Sequence, residues 1–224
     1  MPLTAPDFDR YFEPGHTFTY ESGESGTLAV AVAGELWLPS GRVTACDPFV
    51  SLGGGWAAPF TVQVAPGRYR AETAVATLTT PGADPGGPPH LRTAAARLVI
   101  RDAATETWEM AVTEGQDVSG LVEDDAYFGY GVDAGTGSFY DPAADGSFPD
   151  CEGDEGPLWD AFEQAGHGPG PHLVTGEHGH NLVAFGSGWG DGHYPTWVGR
   201  DADGRVTCFV TDFFVVPTPQ DDPA

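Results

Sequence analysis

Glycine and proline interrupt this chain so often that little room remains for long helices. Among its 224 residues are 32 glycines and 20 prolines, recurring along the chain. Glycine costs a helix interior backbone entropy, and proline removes a helical hydrogen bond. Between the interruptions lie short runs with β-branched or alternating residues, which is the strand pattern. A hydrophobic content of 40% and an aromatic content of 12% supply enough apolar material for a core. The expected fold is therefore mostly β: two packed antiparallel sheets or a partly closed barrel, with one or two short helices.

Residues 28–33 and 35–38 read as strands on either side of Gly34. Residues 60–64 alternate cleanly, and Pro66-Gly67 predicts a hairpin into residues 68–79. Further strands are expected over 93–101, 107–112, 182–185, 196–198 and 206–216, with Asp201-Ala202-Asp203-Gly204 as a hairpin turn. One helix is expected with Pro157 in its first turn, Leu158 and Phe162 on one face, and Gly166 as its stop. The acidic stretch 114–155 reads as an insertion or flexible rim. These elements make one β-rich domain over residues 1–216 and a loose tail over 217–224.

Charge narrows the partners. The chain holds 33 acids, nine arginines and no lysine. Residues 102–199 hold nineteen of those acids and no arginine. Such a face repels phosphate backbones and anionic lipid, so neither nucleic acid nor membrane is an expected partner. It attracts cations, whether metal ions or a basic protein. The bland alternative is that acidity only keeps the chain soluble. No apolar run approaches the roughly 20 residues of a membrane-spanning helix. Cys46, Cys151 and Cys208 are widely spaced and form no C-x-x-C pair. With no basic-then-apolar leader, they predict a cytoplasmic chain with reduced thiols.

Two glycine–aspartate motifs stand out: Gly129-Tyr130-Gly131-Val132-Asp133-Ala134-Gly135-Thr136-Gly137, followed by Asp141, and Gly186-Ser187-Gly188-Trp189-Gly190-Asp191-Gly192-His193-Tyr194-Pro195. An aspartate between glycines is an exposed carboxylate on a sharply turned loop. Converging carboxylates suit a divalent cation, or an acid–base pair if burial raises one pKa. The competing reading is that Asp and Gly are ordinary turn residues. Neither motif matches a dinucleotide or P-loop fingerprint. A second candidate is the histidine-rich stretch: His178 and His180 would share a face on a strand, near His172 and Glu177, and could hold a transition metal. A polar surface loop explains that stretch equally well.

These residues resemble an uncharacterised bacterial family, the domain of unknown function numbered 4241. The match lies in Leu38-Pro39-Ser40-Gly41-Arg42, Ala45-Cys46-Asp47-Pro48, Pro66-Gly67-Arg68-Tyr69 and Ala95-Ala96-Arg97-Leu98. It continues through both glycine–aspartate motifs to Asp201-Ala202-Asp203-Gly204 and Thr211-Asp212-Phe213. The resemblance implies that the two loops matter to the family, and it brings no activity with it. The histidine-rich stretch lies outside its pattern, which lowers the histidine–metal reading.

Two functions follow as expectations. In the first, Asp133, Asp141 and Asp191, with Asp47 and Asp212, line a cleft. They hold a divalent cation or act as acid and base in a hydrolytic or lyase reaction on a small molecule. Tyr130, Trp189, Tyr194 and Trp197 form its aromatic wall. In the second, the acidic face captures a basic protein, as an immunity-type protein would.

Overall fold

The computed structural model describes residues 1–84, 86–148, 156–164 and 168–218. In chain order, helix α1 (Phe8–Tyr11) precedes strands β1 (Thr17–Thr19), β2 (Ser25–Leu38) and β3 (Thr44–Cys46). Helix α2 (Pro48–Ser51) leads to β4 (Gly67–Thr79), β5 (His90–Val99), β6 (Thr107–Met110), β7 (Tyr130–Val132) and β8 (Thr136–Tyr140). Helix α3 (Pro157–Gln164) precedes β9 (His172–Thr175), β10 (Asn181–Gly186), β11 (Gly192–Tyr194), β12 (Thr196–Arg200) and β13 (Val206–Asp212).

The fold is mostly β. A seven-stranded antiparallel sheet, ordered β1-β2-β4-β5-β13-β12-β6, curls into a half-barrel. A four-stranded antiparallel sheet follows the order β3-β8-β10-β9, and β11 pairs with β7 alone. The alternation along β8 and β10 explains how the layers stack. Phe139, Val183 and Phe185 join the core of the large sheet, while Tyr140, Leu182 and Ala184 join a second core with Leu158 of α3. Successive strand residues point to opposite faces, so a sheet covered on both sides must be apolar on both. Burying each of the two phenylalanines contributes roughly 2–3 kcal/mol. Asn181 ties the layers at one point: its Oδ1 accepts from Trp37 N (2.8 Å) and its Nδ2 donates to Glu35 O (2.9 Å).

Several expected elements change. Residues 25–38 form one strand, with Gly34 at φ 126° in a bulge where the register to β4 shifts. The expected 60–64 hairpin does not form. β4 pairs along its length with β2 and β5, whereas Phe60 and Gln63 make only isolated bridges, to Thr113 and Arg42. Val62 and Val64 are half-buried, too little to outweigh those two long ladders. The Asp201 turn forms as expected: Asp201 Oδ1 accepts from the amides of Asp203 and Arg205, and Gly204 takes φ 78°. The described residues include three short α-helices, and α3 starts at Pro157 as expected. Its expected stop at Gly166, and residues 219–224 of the tail, lie outside the described residues. Among the described residues no helix is long and apolar enough to cross a membrane.

Candidate functional site

The first glycine–aspartate motif is two strands and the turn between them. Every residue of β8 is buried, and glycine at position 137 is required there. A Cβ on Gly137 would lie 2.5 Å from the Tyr130 hydroxyl and 2.7 Å from Phe185 Cε2. β7 runs antiparallel to β11 with Val132 opposite Gly192 and Tyr130 opposite Tyr194. Asp133 follows Val132 and Asp191 precedes Gly192, so each lies one residue beyond the end of this ladder. Both are exposed. The two turns also touch directly, because Ser187 N donates to Gly135 O (3.1 Å). The second turn is closed on itself: Ser187 Oγ (2.7 Å) and the Tyr194 hydroxyl (2.9 Å) both donate to Gly190 O.

Asp141 does not join them. It is fully buried, and its carboxylate accepts from Ser40 N (2.9 Å), Ser40 Oγ (2.8 Å) and Ala143 N (2.9 Å). This side chain caps the 3-10 turn Pro142–Ser147 and pins the 39–41 turn to it. Asp47 is likewise consumed by the backbone. Its Oδ1 accepts from Phe49 N (3.0 Å) and its Oδ2 from Asp133 N (3.0 Å) and Ala134 N (2.7 Å). Burial pushes the Asp47 carboxyl above its ordinary 3.8, against the three amides that favour its charge and with a smaller push from Asp133. Asp212, also buried, accepts from Phe214 N (3.0 Å). The expected cage of Asp133, Asp141 and Asp191 around a divalent cation is therefore not assembled. Among the described residues, no group of three or more His, Cys, Asp or Glu is placed to hold a metal ion.

The expected aromatic wall is also divided. Trp189 is exposed on the second turn, with its indole donating to Phe214 O (3.2 Å). Tyr194 is buried behind that turn. The Tyr130 hydroxyl is buried against Gly137, and burial raises its pKa strongly. Trp197 sits on β12 at 3% exposure and lines a different hollow of about 670 Å³, with Trp108 and Met110. Nor do the histidines share a strand. His178 is at φ 57° in the 3-10 turn Glu177–Gly179. His180 bonds Ser147 Oγ through Nδ1 (2.6 Å) and packs on the Trp37 ring.

An open cleft of about 490 Å³ lies where the two glycine turns meet. Gly135 and Thr136 form one wall and Gly186, Ser187, Gly188 and Gly190 another, with residues 89–93 and Gly168–Pro169 completing the lining. Among the described residues Arg92 is its one charged lining side chain, and His90 also lines it. The sequence reading missed both, because an arginine at the start of a strand carries no motif. A larger hollow, about 900 Å³, lies between the N-terminal segment, β1 and residues 216–218.

A family model described as "Protein of unknown function (DUF4241)" matches residues 36–211. The chain belongs to this family. Both glycine turns, Asp47, Arg92 and the whole 490 Å³ cleft fall inside the DUF4241 match, whereas the lining of the larger hollow falls outside it. No curated protein and no solved structure matches the chain.

Proposed function

We propose that this protein is a small-molecule-binding domain whose site is the cleft between the two glycine turns. The carrying observation is that one concave surface is walled by both turns, which come from distant parts of the chain and are joined by the β7–β11 ladder, the Thr136–Gly186 pair of β8 and β10, and the Ser187 N to Gly135 O bond. The cleft's volume falls in the range of ordinary ligand sites. Its glycines bring main chain close to a ligand without side chains in the way. Asp133 and Asp191, both exposed and within two residues of the lining Gly135 and Gly190, are the polar groups available to orient a substrate. A hydrolytic or lyase step is the narrower form of this proposal, with one of these two carboxylates as base. Titrating the ¹⁵N-labelled chain with small polar compounds tests the reading. Amide shifts at Gly135, Gly188 and Gly190 are expected. Shifts confined to the hollow beside β1 would sink it.

One observation favours a second reading, capture of a basic protein. Glu123, Asp125, Asp133 and Asp191 are all exposed, and none forms an ion pair among the described residues. A cationic peptide such as oligo-arginine should then shift the amides of residues 123–125 and release steeply with salt. Salt-insensitive or absent binding would remove this reading.

A further inference from the structure

The cleft's chemistry runs against that of the chain around it. A protein with 33 acids and nine arginines lines this cleft, among the described residues, with one arginine and no carboxylate. Among its lining residues, His90 has its Nδ1 3.9 Å from Glu24 Oε1. Arg10, Arg70, Arg97, Arg101, Arg200 and Arg205 each pair with a carboxylate. Arg92, like Arg42 and Arg68, takes part in no such pair among the described residues, and of these three it alone lines the cleft. Its Nη1 donates to Leu91 O (3.0 Å), and its Nε is buried with no hydrogen-bond partner among the described residues. The guanidinium carbon sits 5.6 Å from the centre of the Trp189 ring.

These features point one way. The aromatic ring and the Leu91 carbonyl fix the plane of the guanidinium. An oxyanion is the group that a guanidinium fork satisfies best, and this guanidinium lines the cleft with no carboxylate paired to it among the described residues. The other arginine-rich hollow, beside Arg70, Arg97 and Arg101, lacks this property because Glu72 and Asp201 already occupy its donors.

We propose that the cleft binds the oxyanion end of a small ligand, a carboxylate or phosphate, on Arg92 with Trp189 as the plate behind it. This rests on the reading of the cleft as the binding site. The cleft is larger than a bare ion requires, so the oxyanion is one end of the ligand. The exposed carboxylates of Asp133 and Asp191, close in sequence to the lining Gly135 and Gly190, then favour a neutral or cationic group at the other end.

The test uses the full ¹⁵N-labelled chain, with inorganic phosphate and acetate as separate probes at constant ionic strength. Saturable shifts are expected at Arg92 Nε–H and at the Gly188 and Gly190 amides, and the stronger probe tells phosphate from carboxylate. Arg92→Gln should weaken binding at least about tenfold. Arg92→Lys, which keeps the charge but not the fork, should bind with intermediate strength. Arg68→Gln, removed from beside Trp37, should bind as the parent does. Binding unchanged in Arg92→Gln, or only a non-saturating drift, overturns the proposal. If uncharged glucose or glycerol moves the glycine amides and neither anion does, the cleft still binds and only the oxyanion assignment fails. If no probe moves them, the cleft reading fails with it.

Discussion

The buried carboxylate of Asp47 holds the backbone amide of Asp133 at 3.0 Å, so one aspartate fixes the turn that presents the other to solvent. The same oxygen takes the Ala134 amide at 2.7 Å, and the other oxygen caps α2 at Phe49. The division of labour is physical: a carboxylate that satisfies three amides is fully used, and an exposed one is available to a ligand.

Asp47→Ala should cost about 3 kcal/mol in urea denaturation, since it strands three amide donors. Asp47→Asn tests the titration. The folded-state pKa lies above the ordinary 3.8, so folding favours the neutral acid. That contribution is present below the unfolded pKa and is lost as pH rises through the folded one. The stability of the parent relative to the asparagine variant should therefore fall across the range starting near pH 4 and then level off. A difference that grows with pH would contradict the shift.

Asp133 and Asp191 should behave unlike Asp141. Asparagine at either exposed position should leave stability within about 0.5 kcal/mol of the parent. Asp141→Ala removes the acceptor for both Ser40 groups and for Ala143 N, and should cost about 3 kcal/mol. Chemical denaturation of the three variants side by side checks the ranking.

Two glycines of the second turn separate strain from crowding. Gly188 takes φ 64°, and a Cβ there would sit 2.7 Å from Phe213 Cβ and 3.0 Å from Thr93 O. Gly190 takes φ 102° with nothing within 4 Å of such an atom. Gly188→Ala should lose about 3 kcal/mol, and Gly190→Ala about half that. Equal losses in a thermal melt would show that the packing around Gly188 yields.

Cys46 and Cys208 are buried, and burial raises both thiols, Cys46 to about 12 with smaller pushes from Asp47 and Asp145. Thiolate is the reactive form. A maleimide applied to the native protein near pH 8 should leave both unlabelled by peptide mass mapping, and both should react after denaturation. Labelling of either in the native state would refute their placement.

Strands whose two faces differ, or that end in a strong turn, were legible in the sequence. β12 and β13 around Asp201–Gly204 follow from the Asp-Gly signal, and α3 follows from Pro157. β7 and β8 were hidden because glycine is a poor strand former. Only the crowding of Tyr130 and Phe185 against Gly137 shows why glycine serves there. The stretch 114–155 looked like a rim on its charge alone, yet it supplies β8 to the middle of a sheet. For the site, the motifs marked the correct turns and could not tell a spent carboxylate from an available one. Asp47 and Asp141 differ from Asp133 in their distant amide partners, and those have no local signature. Arg92 became visible only once the fold had gathered its neighbours.

The β7–β11 ladder joins the two turns backbone to backbone, which makes the site sensitive to counting rather than to chemistry. Deleting one residue from β7 or β11 would slide the register and swing Asp133 or Asp191 to the opposite side of the ribbon. Length changes between β8 and β9 leave that register alone. A frame change of one residue beside either aspartate is therefore the smallest edit that should dismantle the cleft.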